Sequence, residues 1–197
     1  MSKITLEPNA SGAGTFSIVS PDSNTNRTLN LPDASGNIIA ADASTGQFDS
    51  SNMPAGSVIQ VVQGSTDTQV TSTSDSYVDI GLSASISPVS TTSKILVTAS
   101  VQGRIQDDTS ISVYIAFQIS KNGDPIFTPS VTFENGILAE PAGGRVRLRN
   151  RWPLMYLDSP NSSGSLTYSI EAAANAGEIR LQEAGNTSFI TLMEIAG

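Results

Sequence analysis

Residues 111–119 read Ile-Ser-Val-Tyr-Ile-Ala-Phe-Gln-Ile, and Asn122-Gly123 follows after two further residues. Large apolar side chains occupy every second position of this stretch, which places them on one face of a β-strand. The side chains between them are polar or only weakly apolar, so we expect one face of the strand to be buried. Asn-Gly tolerates the positive φ of a tight turn. The stretch therefore predicts a β-hairpin that continues into Pro125-Ile-Phe.

The chain from residue 57 onwards repeats this kind of pattern. Short apolar runs separated by turn residues predict strands at 58–62, 77–82, 95–101, 126–133, 146–157, 166–170, 179–181 and 189–195. The only helix-like stretch, 171–176, continues the alternation through Tyr168 and Ile170, so we interpret it as the end of a strand. Strands of this number and spacing are typical of a β-sandwich. The predicted fold class is all-β.

The first 56 residues have a different character. Residues 1–40 read as short strands cut by turns, and strands this short bury too little surface to be stable alone. We expect an arm that gains its core by packing in a larger assembly. Residues 41–56 lack periodicity and predict a linker. The predicted organisation is an arm at 1–40, a linker at 41–56 and a sandwich domain at 57–197.

Composition excludes several classes of chemistry. The 197 residues include no cysteine and no histidine, so disulfides, thiolate metal sites, Ser-His-Asp triads and imidazole acid–base catalysis are absent. A formal charge of −8 opposes binding to nucleic acid. No apolar run has the length of a membrane span or of a signal peptide core. Asp107-Asp108 falls in a predicted loop, where a solvated turn is favoured over a cation site. We expect no cofactor, no metal and no enzymatic activity.

Two stretches carry a resemblance to known families. Residues 14–40, with Arg27-Thr-Leu-Asn-Leu-Pro-Asp33 and then Gly36, resemble a short β-rich segment of tailed-phage structural proteins. Residues 57–197 resemble the trimeric jelly roll of the tumour-necrosis-factor and C1q type that ends many phage fibres. The opening Gly-Ser-Val-Ile-Gln-Val-Val, the strand at 166–170 and the closing Ser188-Phe-Ile-Thr-Leu-Met-Glu-Ile195 carry this second likeness. The resemblance implies a homotrimer with its last strand near the three-fold axis.

The last strand supports a trimer on physical grounds as well. It is apolar on both faces, and such a strand needs two cores. One is the sandwich, and a closed heterologous contact in a trimer supplies the other. The candidate interface residues are Phe189, Thr191, Met193 and Ile195. Glu194 must then be solvated or paired, because an isolated buried carboxylate is costly.

Basic residues concentrate in one predicted strand, where alternate positions share a face. The candidate contact residues for an acidic ligand or a carboxylate-rich virion neighbour are Arg145, Arg147, Arg149, Arg151 and Trp152. Surface or inter-subunit salt bridges to Glu171, Glu178 or Glu194 are the simpler explanation. Trp152 and three tyrosines could stack on a sugar, although core packing is the more common role of such residues: Tyr114, Tyr156 and Tyr168.

These observations predict a non-enzymatic phage virion protein, assembled in the host cytoplasm and resident in the virion. Our leading hypothesis is a short trimeric tail fibre or tip, anchored to other virion proteins through residues 1–40. Its head would contact a host surface, with a surface glycan as the candidate ligand, through the loops at 65–75, 106–110 or 158–164. The rival hypothesis is a capsid decoration (cement) or head-fibre protein that stabilises the shell.

Overall fold

The computed structural model describes residues 11–12, 24–26, 53–108, 112–128, 136–138 and 146–197. The chain divides into two units, Met1–Ile38 and Ile39–Gly197, and nearly all described residues belong to the second. All of the predicted arm except residues 11–12 and 24–26, and the predicted linker up to residue 52, lie outside the described residues. None of the described segments forms a helix long and apolar enough to cross a membrane.

The described part of the second unit consists of strands, turns and one 3-10 helix, Glu183–Gly185. In chain order the strands are β1 Val58–Thr66, β2 Val70–Ser72, β3 Val78–Ile86, β4 Lys94–Asp107, β5 Ser112–Lys121, β6 Asp124–Phe127, β7 Gly136–Leu138, β8 Val146–Asp158, β9 Leu166–Ala174, β10 Glu178–Leu181 and β11 Ser188–Ile195. The segment 65–75, which we expected to be a loop, contains the end of β1 and all of β2. The predicted hairpin turn forms at Asn122 and Gly123, whose φ angles are 52° and 89°.

The strands form two antiparallel sheets. In the first sheet β8 pairs along the whole of β4, while β11 and β10 pair with successive parts of β4. Outside them, β1 pairs with β11 and β2 pairs with β10, which makes six strands. The second sheet runs β3-β9-β5, with β6 and β7 both paired to β5. The long strand β4 is thus the centre of the first sheet, and β8 lies beside it.

The pairing order defines a jelly roll. The first long strand pairs with the last (β1 with β11), and the pairs β3 with β9, β4 with β8 and β5 with β6 nest inside it. A chain folded back on itself in this way and then wound into two sheets is a jelly roll. This confirms the predicted all-β sandwich; the homotrimer stays a prediction.

The core lies between the two sheets and is built by alternating side chains of both. On β5, Val113, Ile115, Phe117 and Ile119 are all buried, as the sequence pattern predicts. The opposite face of β5, which is polar or only weakly apolar, is also buried at Ala116, Gln118 and Ser120. Gln118 is held there by hydrogen bonds with Glu171 and Thr128, because a buried amide requires partners.

Candidate binding and assembly surface

The outer face of the first sheet carries a continuous apolar surface. The register aligns Val61 of β1, Met193 of β11, Leu96 of β4 and Leu157 of β8 in one row across four strands. Val61 is 57% exposed and Leu157 is 47% exposed. Met155, two positions before Leu157 on the same face, is 70% exposed. We call this surface the apolar half; it comprises Val61, Leu96, Met155, Leu157, Phe189 and Met193.

The predicted interface residues of the last strand lie on this face. Phe189, Thr191, Met193 and Ile195 alternate with Ile190 and Leu192, which are fully buried in the core. The last strand therefore has one apolar face in the sandwich and a second, partly exposed one outside it. This is the two-faced arrangement that the sequence indicated.

Glu194 occupies one of the inward-facing positions of β11, which are otherwise mostly apolar, and it is fully buried. Its carboxylate accepts hydrogen bonds from the side-chain amide of Gln60 at 2.6 Å and from the backbone N–H of Val89 at 2.7 Å. Glu194 is therefore paired rather than solvated, and these two donors offset the cost of its burial.

The first part of β8, which carries the arginines, continues the same outer face beyond the apolar half. Arg147, Arg149 and Arg151 alternate along β8 and are exposed. Arg145 lies outside the described residues. The register places Arg149 directly opposite Arg104 of β4, and Arg180 of β10 faces Arg104 on its other side. We call the group Arg104, Arg147, Arg149, Arg151 and Arg180 the arginine cluster. Sequence reasoning missed Arg104 and Arg180, because only strand pairing brings them to β8.

Two glutamates of the same chain organise this cluster. Glu183 lies at its centre: its carboxylate is 2.9 Å from Arg104 Nε, 3.1 Å from an Arg149 guanidinium nitrogen and 4.0 Å from one of Arg147. Glu178 lies 2.5 Å from Arg180 Nε and 3.8 Å from Arg104. The hydrogen bond that Arg180 donates to the Glu178 carboxylate raises the pKa of Arg180. Among the described residues, the glutamates we named as partners of the β8 arginines, Glu171, Glu178 and Glu194, form no ion pair with them; Arg147 and Arg149 pair with Glu183 instead.

Arg151 has neutral partners. Its guanidinium donates to the hydroxyl of Ser100 and to the backbone carbonyl of Thr187, both at 3.2 Å. Arg147, Arg149 and Arg151 are exposed, so this part of the outer face presents guanidinium groups to solvent in a chain of formal charge −8. Such a surface suits an anionic partner.

Trp152 belongs to the core. It is 3% exposed, and its ring centroid lies 5.5 Å from that of Phe117. Of the two roles we considered for it, ligand contact beside the arginines and core packing, the structure shows core packing. Adjacent strand residues point to opposite faces, so Arg151 outside puts Trp152 inside. Tyr168 is also fully buried, and Tyr156 stacks on Phe127 with 5.1 Å between ring centroids.

Asp107 and Asp108 border an open cleft beside Gly177 and Glu178. Asp107, at the end of β4, is 7% exposed, whereas Asp108 is exposed. Among the described residues there is no group of three acidic side chains placed to hold a metal ion.

Comparison with known proteins gives remote structural likenesses. No family model matches the chain, and no curated protein matches it. The VP2 subviral particle protein of infectious bursal disease virus has a TM-score of 0.38 at 12% identity, covering 84% of this chain and 46% of VP2. VP2 of the T13 particle of that virus has a TM-score of 0.36 at 13% identity, covering 70% and 36%. Dimeric latent PorU of Porphyromonas gingivalis has a TM-score of 0.25 at 12% identity, covering 80% and 14%. The chain spans less than half the length of these proteins.

Proposed function

We propose that this chain is a non-enzymatic virion structural protein. In this proposal it is a homotrimeric short tail fibre or tip, with residues 1–40 anchoring it to other virion proteins and the jelly roll contacting the host surface. The observation that carries the proposal is the apolar half of the first sheet. Contiguous exposed apolar surface on a soluble domain marks an interaction site. Burying a side chain such as Leu157 or Met155 in full contributes about 1.5–3 kcal/mol.

The layout of the outer face favours a heterologous contact. An isologous two-fold contact centred on this face would bring the basic arginine cluster against its own copy or against the apolar half of the partner. A head-to-tail contact instead lets the cluster meet a different surface of the neighbour, and the chain as a whole is acidic. Three such contacts close into a ring, which is the trimer that the resemblance implies.

Light scattering of the purified chain at micromolar concentration tests this. We expect the mass of a trimer for the native sequence and the mass of a monomer for Met155→Asp/Leu157→Asp, because burying an unpaired carboxylate at the contact is costly. Ser163→Asp/Ser165→Asp is the matched control: it adds the same charge at two exposed residues outside the first sheet, in the loop between β8 and β9, so this variant should remain trimeric. A monomeric native chain would overturn the trimer.

The capsid decoration or head-fibre alternative uses the same trimer and the same anchoring arm. It differs in position and in number, since decoration proteins are abundant in a virion whereas tail tips number only a few trimers. The copy number per particle therefore separates the two.

A further inference from the structure

A small pocket opens at one end of the second sheet. Its volume is about 170 Å³, and its walls include Asp75, Tyr77, Tyr114 and Asn175. The depression between the tyrosines follows from the register: Ala116 of β5 pairs with Ala173 of β9, so two small side chains adjoin two large ones.

Hydrogen bonds fix the rim of this pocket. The backbone N–H of Tyr114 donates to Asn175 Oδ1 at 2.7 Å, and the N–H of Asn175 donates back to the Tyr114 carbonyl at 3.3 Å. The loop that carries Asp75 is tied to β9 by a 2.9 Å bond from the Ala174 N–H to the Ser74 carbonyl. A site held in this way is largely preformed, which lowers the entropy cost of binding.

The Tyr77 hydroxyl is the most informative group in the pocket. It is buried and has no hydrogen-bond partner in the described part of the chain. An unsatisfied buried hydroxyl is costly, and a ligand hydroxyl would satisfy it. A tyrosine hydroxyl is already a neutral donor at physiological pH, and burial and the neighbouring Tyr114 raise the pKa of Tyr77 further.

The pocket's size and charge restrict the ligand. Its volume lies below the roughly 300–1,000 Å³ of sites for drug-sized molecules, so it admits a small molecule or one unit of a polymer. Aromatic side chains beside hydroxyl, carboxylate and amide groups match a sugar ring, which has apolar C–H surfaces and a rim of hydroxyls. The described lining includes the carboxylate of Asp75 and no lysine or arginine, which disfavours an anionic sugar.

We infer that the pocket at Tyr77 and Tyr114 binds one neutral pyranose unit, such as a residue of a surface polysaccharide. This rests on the proposed function for the source of the sugar, and it assigns host contact to the second sheet while the first sheet serves assembly. Three copies in a trimer would raise the avidity of a weak single-site contact.

Saturation-transfer NMR on the full chain tests the inference, with glucose, galactose, mannose and N-acetylglucosamine at millimolar concentration and glucuronate as the charged probe. We expect signals from at least one neutral sugar and none from glucuronate. Tyr77→Phe, which removes only the hydroxyl, should weaken binding about three- to tenfold. Tyr114→Ala should abolish the signal, while Tyr156→Phe, a tyrosine stacked elsewhere on Phe127, should leave it unchanged.

Thermal unfolding of each variant establishes that the fold is retained. The inference is overturned if none of the four neutral sugars gives a signal, if glucuronate binds as well as they do, or if the signal survives Tyr114→Ala. Failure here is distinct from failure of the proposed function: light scattering and copy number report on assembly whether or not a sugar binds.

Discussion

At the scale of single residues, buried polar groups tie the two sheets together. Asp158 at the end of β8 is 7% exposed, and its Oδ2 accepts a hydrogen bond from the Tyr168 hydroxyl at 2.8 Å and one from the Lys121 ammonium at 2.9 Å. Asp158 belongs to the first sheet, while Tyr168 on β9 and Lys121 on β5 belong to the second. Both sides of the sandwich therefore share one carboxylate, because a buried charge needs partners.

The buried Tyr168 makes stability depend on alkaline pH. Burial, and then the hydrogen bond and charge of Asp158, raise the pKa of Tyr168 well above its ordinary value of 10.0. The unfolded chain therefore loses this proton near pH 10 while the folded chain keeps it, so the free energy of unfolding falls above pH 10. We expect a slope approaching about 1.4 kcal/mol per pH unit from this group.

Urea unfolding of the native chain and of Tyr168→Phe between pH 8 and pH 11 measures this effect. The variant should be about 1 kcal/mol less stable at pH 8, because one hydrogen bond is lost. The difference should shrink as the pH rises above 10. Curves that stay parallel across the whole range would contradict the assignment.

Glu183 is the second residue on which stability depends. The Arg104 side chain is 4% exposed, and Glu183 is its nearest carboxylate. Glu183→Gln leaves this guanidinium without its closest counter-charge, and we expect a loss of about 1.5–3 kcal/mol in chemical denaturation. Arg149→Ala is the control: its side chain is 59% exposed, so its loss should cost less than about 1 kcal/mol. Equal losses in the two variants would show that Arg104 does not depend on Glu183.

At the scale of elements, the strands could be predicted from the sequence because apolar side chains recur at every second residue of a strand with one buried face. β5, β9 and the Asn122-Gly123 turn follow the predicted pattern, and β9 extends to Ala174 through the helix-like alanine run. The short strand β2 was missed, because three residues are too few to show alternation and it forms only by pairing with β10.

Strands β1 and β3, which belong to different sheets, come into close contact at Gly64. A Cβ at Gly64 of β1 would collide with the backbone carbonyl of Ser83 on β3 and would press on Ile190 at 3.1 Å. Since neither backbone can yield without shifting a strand, Gly64→Ala should destabilise the sandwich by about 1–3 kcal/mol in urea unfolding. Ser65→Ala at the next, exposed position should stay within about 0.5 kcal/mol. A Gly64→Ala variant as stable as the native chain would refute this close approach.

At the scale of the whole molecule, the proposed position in the virion predicts a copy number. A tail fibre or tip requires a few to a few tens of copies per particle, and a decoration protein requires hundreds. Quantitative mass spectrometry of purified particles against the major capsid protein measures this number. We expect the low value. Hundreds of copies would reject the tail fibre and would favour a role of the arginine cluster in contacts with the shell or between subunits.

The candidate site was only partly predictable. Alternation at every second residue predicted correctly that the arginines of β8 share one face. The same alternation in the sequence already indicated that Trp152 lies on the opposite face. Glu183, the carboxylate partner of Arg147 and Arg149, was not predictable, because it lies on a separate element that strand pairing brings to β8. The same is true of Tyr77, which lies just before β3, and Tyr114 on β5, which line one pocket.

The sequence by itself determined the class of structure: alternation, turn residues and composition specify strands, faces and an all-β sandwich, because these signals act between near neighbours in the chain. Only the tertiary structure decided which strands pair, that the outer face of the first sheet divides into an apolar half and an arginine cluster, and that Glu194 and Asp158 are satisfied in the interior. Pairing and burial join residues far apart in sequence, and their free energy depends on packing that a local pattern does not encode.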